Sequence, residues 1–190
     1  MKYFTNIELR DLAISIIAVT FIFSFQNIRS LFVISLGIIT FSFLLRVFAN
    51  KFSAKKLGCM ATYKLWPSGI ALGIISMILE PITKILFVAT GRTEIMPYSF
   101  GRWGFKIAKL KEKHIGLIAL SGIIVHLFLA IFFKFFQGDF FYYFSFYNAM
   151  LAFFNLLPAP QLDGGKIFAW NLGLWILLVF LALFSIFVTF

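Results

Sequence analysis

The chain has 190 residues, of which 62% are hydrophobic and 13% charged, with 28 Phe. A soluble domain of that size has no interior large enough to hide so much apolar surface. Composition therefore excludes an ordinary soluble enzyme and predicts one integral membrane domain over 1–190, with membrane lipid as its solvent. The net charge of +10 comes from 17 Lys and Arg against 7 Asp and Glu. It reads as topogenic charge plus attraction to anionic lipid. The basic residues flank apolar spans and form no folded basic face, so nucleic acid is not an expected partner. The single cysteine, Cys59, excludes an intramolecular disulfide and a cysteine-cluster metal site.

The N-terminal segment mixes Lys2 and Arg10 with Glu8 and Asp11, and no small-x-small cleavage site follows, so the first span is predicted to be a retained helix. Apolar stretches run over 12–25, 31–49, 65–89, 115–136, 140–157 and 171–190. The core helices are expected near 31–55, 115–136 and 140–157. The stretch 65–89 is unlike the others: it opens with Trp66-Pro67, Glu80-Pro81 is expected to break its middle, and Lys84 stands four residues after Glu80 as its ion-pair partner. If all six stretches crossed, Lys and Arg would divide seven against eight. If 65–89 enters and leaves on one face, the division becomes thirteen against two, with only Arg29 and Lys134 on the far side. The positive-inside rule selects the second arrangement: a re-entrant segment, five crossings, a cytoplasmic N-terminus and a cytoplasmic 90–114 loop. Two very short crossings give the same sides. Within that loop, Arg102, Lys106, Lys109, Lys111 and Lys113 alternate with Trp103, Phe105, Ile107 and Leu110. This predicts a surface-lying basic amphipathic piece, with a short strand against the re-entrant segment as the alternative.

Chemistry concentrates in Asn155-Leu156-Leu157-Pro158-Ala159-Pro160-Gln161-Leu162-Asp163-Gly164. A carboxylate is placed where charge is costly, behind two prolines that interrupt the helix and free backbone groups to line a site. The segment resembles a signature of the site-2 protease family of intramembrane zinc metalloproteases. Further upstream, Arg46-Val47-Phe48-Ala49-Asn50-Lys51-Phe52-Ser53-Ala54-Lys55-Lys56-Leu57-Gly58 resembles that family's H-E-x-x-H-K-F-x-A-K-K-x-G pattern, and the close fit from Lys51 to Gly58 fixes the register. Ser121-Gly122-Ile123-Ile124-Val125-His126 stands in the place of A-G-P-x-x-N. Trp66-Pro67-x-Gly69, Phe87-Val88-Ala89-Thr90-Gly91 and Gly164-Gly165-Lys166-Ile167-Phe168-Ala169-Trp170-Asn171 also fit, so the resemblance covers about 31–175.

In such proteases two histidines at i and i+4 bind zinc, the glutamate beside the first takes a proton from the metal-bound water, and a carboxylate from another helix completes the ligands. The resemblance puts Arg46 and Asn50 at the histidine positions, Val47 at the glutamate and Asp163 at the remaining ligand. Arginine carries no acceptor lone pair and valine is no base, so hydrolysis by this route is not expected. An unpaired arginine in a membrane helix costs at least about 2.5–3.5 kcal/mol. Arg46 is therefore expected either to snorkel to the interface near Lys51, or to take the former metal position and pair with Asp163, with Asn50 adding a hydrogen bond one turn away. His126 is read as a hydrogen-bonded packing residue, or as one ligand of a rebuilt metal site with Asp163. Ser121-Gly122 is read as allowing close helix approach.

The fold implied is an all-α membrane bundle of the site-2 protease type, with a small strand component on its cytoplasmic side. The function implied is that of a non-catalytic pseudoprotease that binds a transmembrane helix of another protein and needs no cofactor. The alternatives are an active intramembrane metalloprotease with a rebuilt zinc site, and an ion or solute transport protein whose path is marked by Arg46, Asp163 and Glu80.

Overall fold

The computed structural model of the chain describes residues 4–83, 86–101, 104–107 and 109–189. Helix α1 (Asn6–Ser24) starts at Thr5, whose hydroxyl accepts from the Glu8 amide at 3.2 Å, an N-cap that satisfies one open helix donor. A single 3-10 turn, Phe25–Asn27, reverses the chain into α2 (Ile28–Lys56). The two helices are antiparallel: at the far end Lys51 Nζ meets Glu8 Oε2 at 2.8 Å and the Phe48 ring meets Phe4 edge-on. On α2 the buried residues Ile39, Phe43, Arg46, Val47, Asn50 and Ala54 recur at helical spacing, so one face carries both the apolar core and the polar site.

Strand β1 (Met60–Leu65) pairs antiparallel with β2 (Gly91–Met96), Leu65 opposite Gly91. Between them α3 (Pro67–Thr83) runs out, about 26 Å at the helical rise, and residues 86–90 come back along it. The return is fastened by Phe87 N donating to Ser76 Oγ at 2.8 Å and Trp66 N donating to Thr90 O at 2.9 Å. The segment thus leaves and re-enters the fold at one point. Pro81 does not break its middle: the helix continues to Thr83 and the proline falls in the last turn. The expected Glu80–Lys84 pair involves a residue outside those described.

Within 101–114, residues Gly104–Ile107 form β4, which pairs antiparallel with β3 (Tyr98–Gly101), so a short strand is present but its partner is β3 and not the out-and-back segment. Arg102 and Trp103 lie outside the described residues. The chain is mostly helical with the small strand component expected, which among the described residues is two two-stranded sheets.

Helices α4 (Glu112–Lys134) and α5 (Asp139–Asn155) form a hairpin turned at Gly138, whose φ of 117° is a glycine conformation. A short α6 (Asp163–Trp170), which hydropathy does not announce, precedes α7 (Leu172–Thr189). Trp175 on α7 donates its indole N–H to Leu156 O at 2.7 Å, tying the last helix to the end of α5. Among the described residues, the α1–α2 stretch Asn6–Lys56 and α4 (Glu112–Lys134) hold apolar windows long enough to cross a membrane.

Candidate functional site

The carboxylate motif is built by close backbone approach. After α5 ends at Asn155, the chain turns through Pro158 and Pro160, held by Leu162 N donating to Ala159 O at 3.0 Å. It then enters α6 with buried Leu162 at the cap and Asp163 as first helical residue. A Cβ on Gly164 would lie 2.1 Å from the Leu156 carbonyl oxygen, so only glycine lets α6 fold back against the end of α5. Asp163 is fully buried as a result. Asn155 closes its own helix by donating Nδ2 to Leu151 O at 2.7 Å, and its buried Oδ1 has no partner.

Opposite stands α2. Arg46 is 1% exposed, and its Nη2 lies 2.8 Å from Asp163 Oδ2. The guanidinium is therefore turned inward and not toward the interface. Arg46 and Asn50 reach this position because α4 passes close over them: a Cβ on Gly122 would lie 2.6 Å from Asn50 Oδ1 and 3.0 Å from Arg46 Cγ. Ser121 Oγ stands 3.1 Å from Asn50 Oδ1.

Two residues that local motif reading does not single out complete the site. Lys166, one helical turn after Asp163, places Nζ 2.9 Å from Oδ1 and also donates to the Thr93 carbonyl. Thr93, buried on β2, accepts from Asn50 Nδ2 at 2.7 Å and sits 3.4 Å from Asp163 Oδ2. Asn50 thus reaches the carboxylate through a threonine hydroxyl and not by the direct hydrogen bond expected. The motif did contain Lys166, but only as a flanking charge. Thr93 carries no sequence signal, because its place follows from the pairing of distant strands.

Val47 is buried in the apolar core and offers no proton acceptor. His126, on α4, is fully buried with Nδ1 2.9 Å from Asn148 Oδ1. Asn148 spends its amide on Phe144 O at 2.9 Å, so its oxygen faces the imidazole and His126 Nδ1 carries the proton. Nε2 is then a bare acceptor, buried without a partner. Cys59 is buried beyond the end of α2, and burial raises its thiol pKa, which makes it a poor nucleophile.

Zinc needs anionic or neutral lone-pair donors converging on one point. Here both oxygens of Asp163 already face cations. Among the described residues no group of three or more His, Cys, Asp or Glu is placed to hold a metal. The donor set does not fit zinc, and no hydrolytic step follows from it.

No family model matches the sequence, and no solved structure matches the chain. Among curated proteins, the chain is 33% identical over 182 residues to Putative zinc metalloprotease MJ0611 of Methanocaldococcus jannaschii, covering 90% of this chain and 88% of that protein.

Proposed function

We propose, from the premise that this chain belongs to the metalloprotease family of its Methanocaldococcus jannaschii relative, that it is a membrane-embedded, non-catalytic member of the site-2 protease type. The observation that carries the reading is the buried contact of Arg46 with Asp163 at 2.8 Å, where the family pattern puts a metal between a histidine and a carboxylate. A guanidinium supplies positive charge to the carboxylate through its Nη2 donor, which is the feature of the metal that the fold needs to bury Asp163, while its Nε is buried without a hydrogen-bond partner. It supplies neither an open coordination position nor an activated water.

Membrane embedding is supported by large apolar side chains left open to the surroundings. Val33, Ile82, Phe135 and Phe187 are 77%, 82%, 81% and 85% exposed, far beyond what a soluble surface tolerates in such number. The paired ends of the α3 excursion support the arrangement in which 65–89 enters and leaves on one face, and the division of Lys and Arg is what favours a cytoplasmic N-terminus. What such a chain does is hold a transmembrane segment of another protein. A cleft of about 310 Å³ between α1 and α3, lined by Ile14, Ile17, Ala18, Phe21, Ile22 and Ile74, carries no charge and suits an apolar helix.

The test is zinc and iron stoichiometry by elemental analysis, on protein purified without a metal-affinity tag, beside Asp163→Ala. The expected result is metal far below one per chain and unchanged by the substitution. One zinc per chain, lost in Asp163→Ala together with proteolysis of a membrane substrate, overturns the reading. One observation favours that second reading, an active enzyme with a rebuilt zinc site: the bare, buried Nε2 of His126. On that reading His126→Ala loses the metal as well.

A further inference from the structure

We propose that the groove between β2 and the Pro160–Gln161 turn is a binding site for the phosphate of an anionic membrane lipid. The groove encloses about 410 Å³ and borders the Asp163 cluster, sharing Thr93 and Lys166 with it. Its charged residues are Arg92, Glu94 and Lys166, and its apolar wall is formed by Ile95, Ile115 and Pro160.

The charge audit of the groove is lopsided. Glu94 is taken by Lys64 at 2.7 Å. Asp163 is shared between Arg46 and Lys166, at 2.8 and 2.9 Å, leaving one positive charge in excess. Arg92 is half-buried, and no ion pair engages it among the described residues. Two positive charges therefore stand without counter-charge at the groove. The Lys166 ammonium has three donors, of which Thr93 O and Asp163 Oδ1 use two. The third donor and the Arg92 guanidinium remain for an anion, and both residues line the groove.

An extended peptide is the other occupant to weigh, because β2 has a free edge. Tyr63 donates its amide to Glu8 Oε1 at 2.8 Å on the outer side of β1. Tyr63 and Thr93, which lie opposite each other, therefore exchange no backbone bonds, and the Thr93 backbone points to the outer edge of β2. There its carbonyl is already taken by Lys166. An arriving strand would lose that acceptor, whereas a phosphate loses nothing. The apolar wall then suits the glycerol and first methylenes of a lipid, and the site lies at the end of the bundle where Lys51, Lys64, Arg92 and Lys166 gather.

The inference rests on the membrane reading, which alkaline carbonate extraction tests separately: a chain that stays in the membrane pellet keeps that reading whatever the lipid result. The lipid test is native mass spectrometry of the full chain in neutral detergent, with phosphatidylglycerol and phosphatidylcholine of matched acyl chains. Phosphatidylglycerol is expected to be retained about thirtyfold more strongly, given roughly 1 kcal/mol for each of the two basic residues near an anionic headgroup. Arg92→Gln should remove most of that preference without moving the melting temperature, and Arg92→Lys should keep part of it. Equal retention of the two lipids, or a preference unchanged in Arg92→Gln, overturns the proposal. Displacement of the lipid by millimolar inorganic phosphate reassigns the groove to free phosphate. Displacement by an acidic peptide, dependent on Arg92, reassigns it to a protein partner.

Discussion

Two buried carboxylate sites lie little more than one turn apart along α2, and they are built on different logic. At the first, Glu8 is 1% exposed and divides its oxygens between a cation, Lys51 Nζ at 2.8 Å, and a backbone donor, Tyr63 N at 2.8 Å. Asp11, one turn on, accepts from Leu65 N at 3.2 Å. These carboxylates stand in for a missing neighbour strand, blunting the outer edge of β1 against α1. At the second, Asp163 has a cation on each oxygen and the Thr93 hydroxyl as its remaining neighbour. The first site needs acceptors, and charge is secondary. The second needs charge, because a carboxylate left alone in that interior is costly to bury.

The sharpest way to break this comparison is Arg46→Ala. Removing one partner of a buried pair typically costs about 3–5 kcal/mol. For a chain of this size that is a fall in melting temperature on the order of 10 °C, read by thermal unfolding in detergent. The Arg46→Ala, Asp163→Ala cycle should be strongly non-additive, with coupling of about 0.5–3 kcal/mol. Additive losses would show that the two side chains are neighbours without being partners. Next comes a matched pair of amide substitutions. Asp163→Asn should cost several-fold more than Glu8→Gln, because the glutamine still accepts from Tyr63 N and loses about 1 kcal/mol, the worth of one hydrogen bond. Equal losses in the two would erase the distinction drawn above.

Thr93→Val is smaller again. It leaves Asn50 Nδ2 without its acceptor, at a cost of about 1–3 kcal/mol for a buried donor, and the melting shift should stay below that of Arg46→Ala. The smallest effect is on Cys59, which reports on both sites from the loop between α2 and β1. Alkylation by a maleimide at neutral pH should be slow in the native chain, since burial raises the thiol pKa, and faster in Arg46→Ala. Fast labelling of the native protein would mean that the loop opens without any loss of charge pairing.

The sequence held much of this site in readable form. The run Lys51 to Gly58, by its resemblance to the protease pattern, singles out Arg46 and Asn50, and both lie in the buried site. The prolines around Asp163 mark an interrupted helix, and Gly164 and Gly165 leave room for the backbone of Leu156 and Ala159 where a Cβ would clash. Other features were illegible for a common reason. Thr93 enters the site through the register of β1 on β2, a pairing of distant segments that no local pattern encodes. Helix α6 is eight residues long and partly polar, below what hydropathy detects. The 101–114 region alternates basic and apolar residues, which suits a half-exposed strand as well as an amphipathic helix, and the hairpin geometry decided it. At Pro81 the helix runs on to Thr83, so the expected break in mid-segment is absent.

The out-and-back path of α3 makes that segment a cassette. Its two ends, Leu65 and Gly91, are ladder partners. Excised and replaced by a two-residue turn, the segment would leave β1 and β2 as an ordinary hairpin. The strands carrying Thr93 and the Glu8 contact would keep their register. The sheet and the carboxylate cluster can therefore be inherited as one unit while the excursion between them varies in length and sequence.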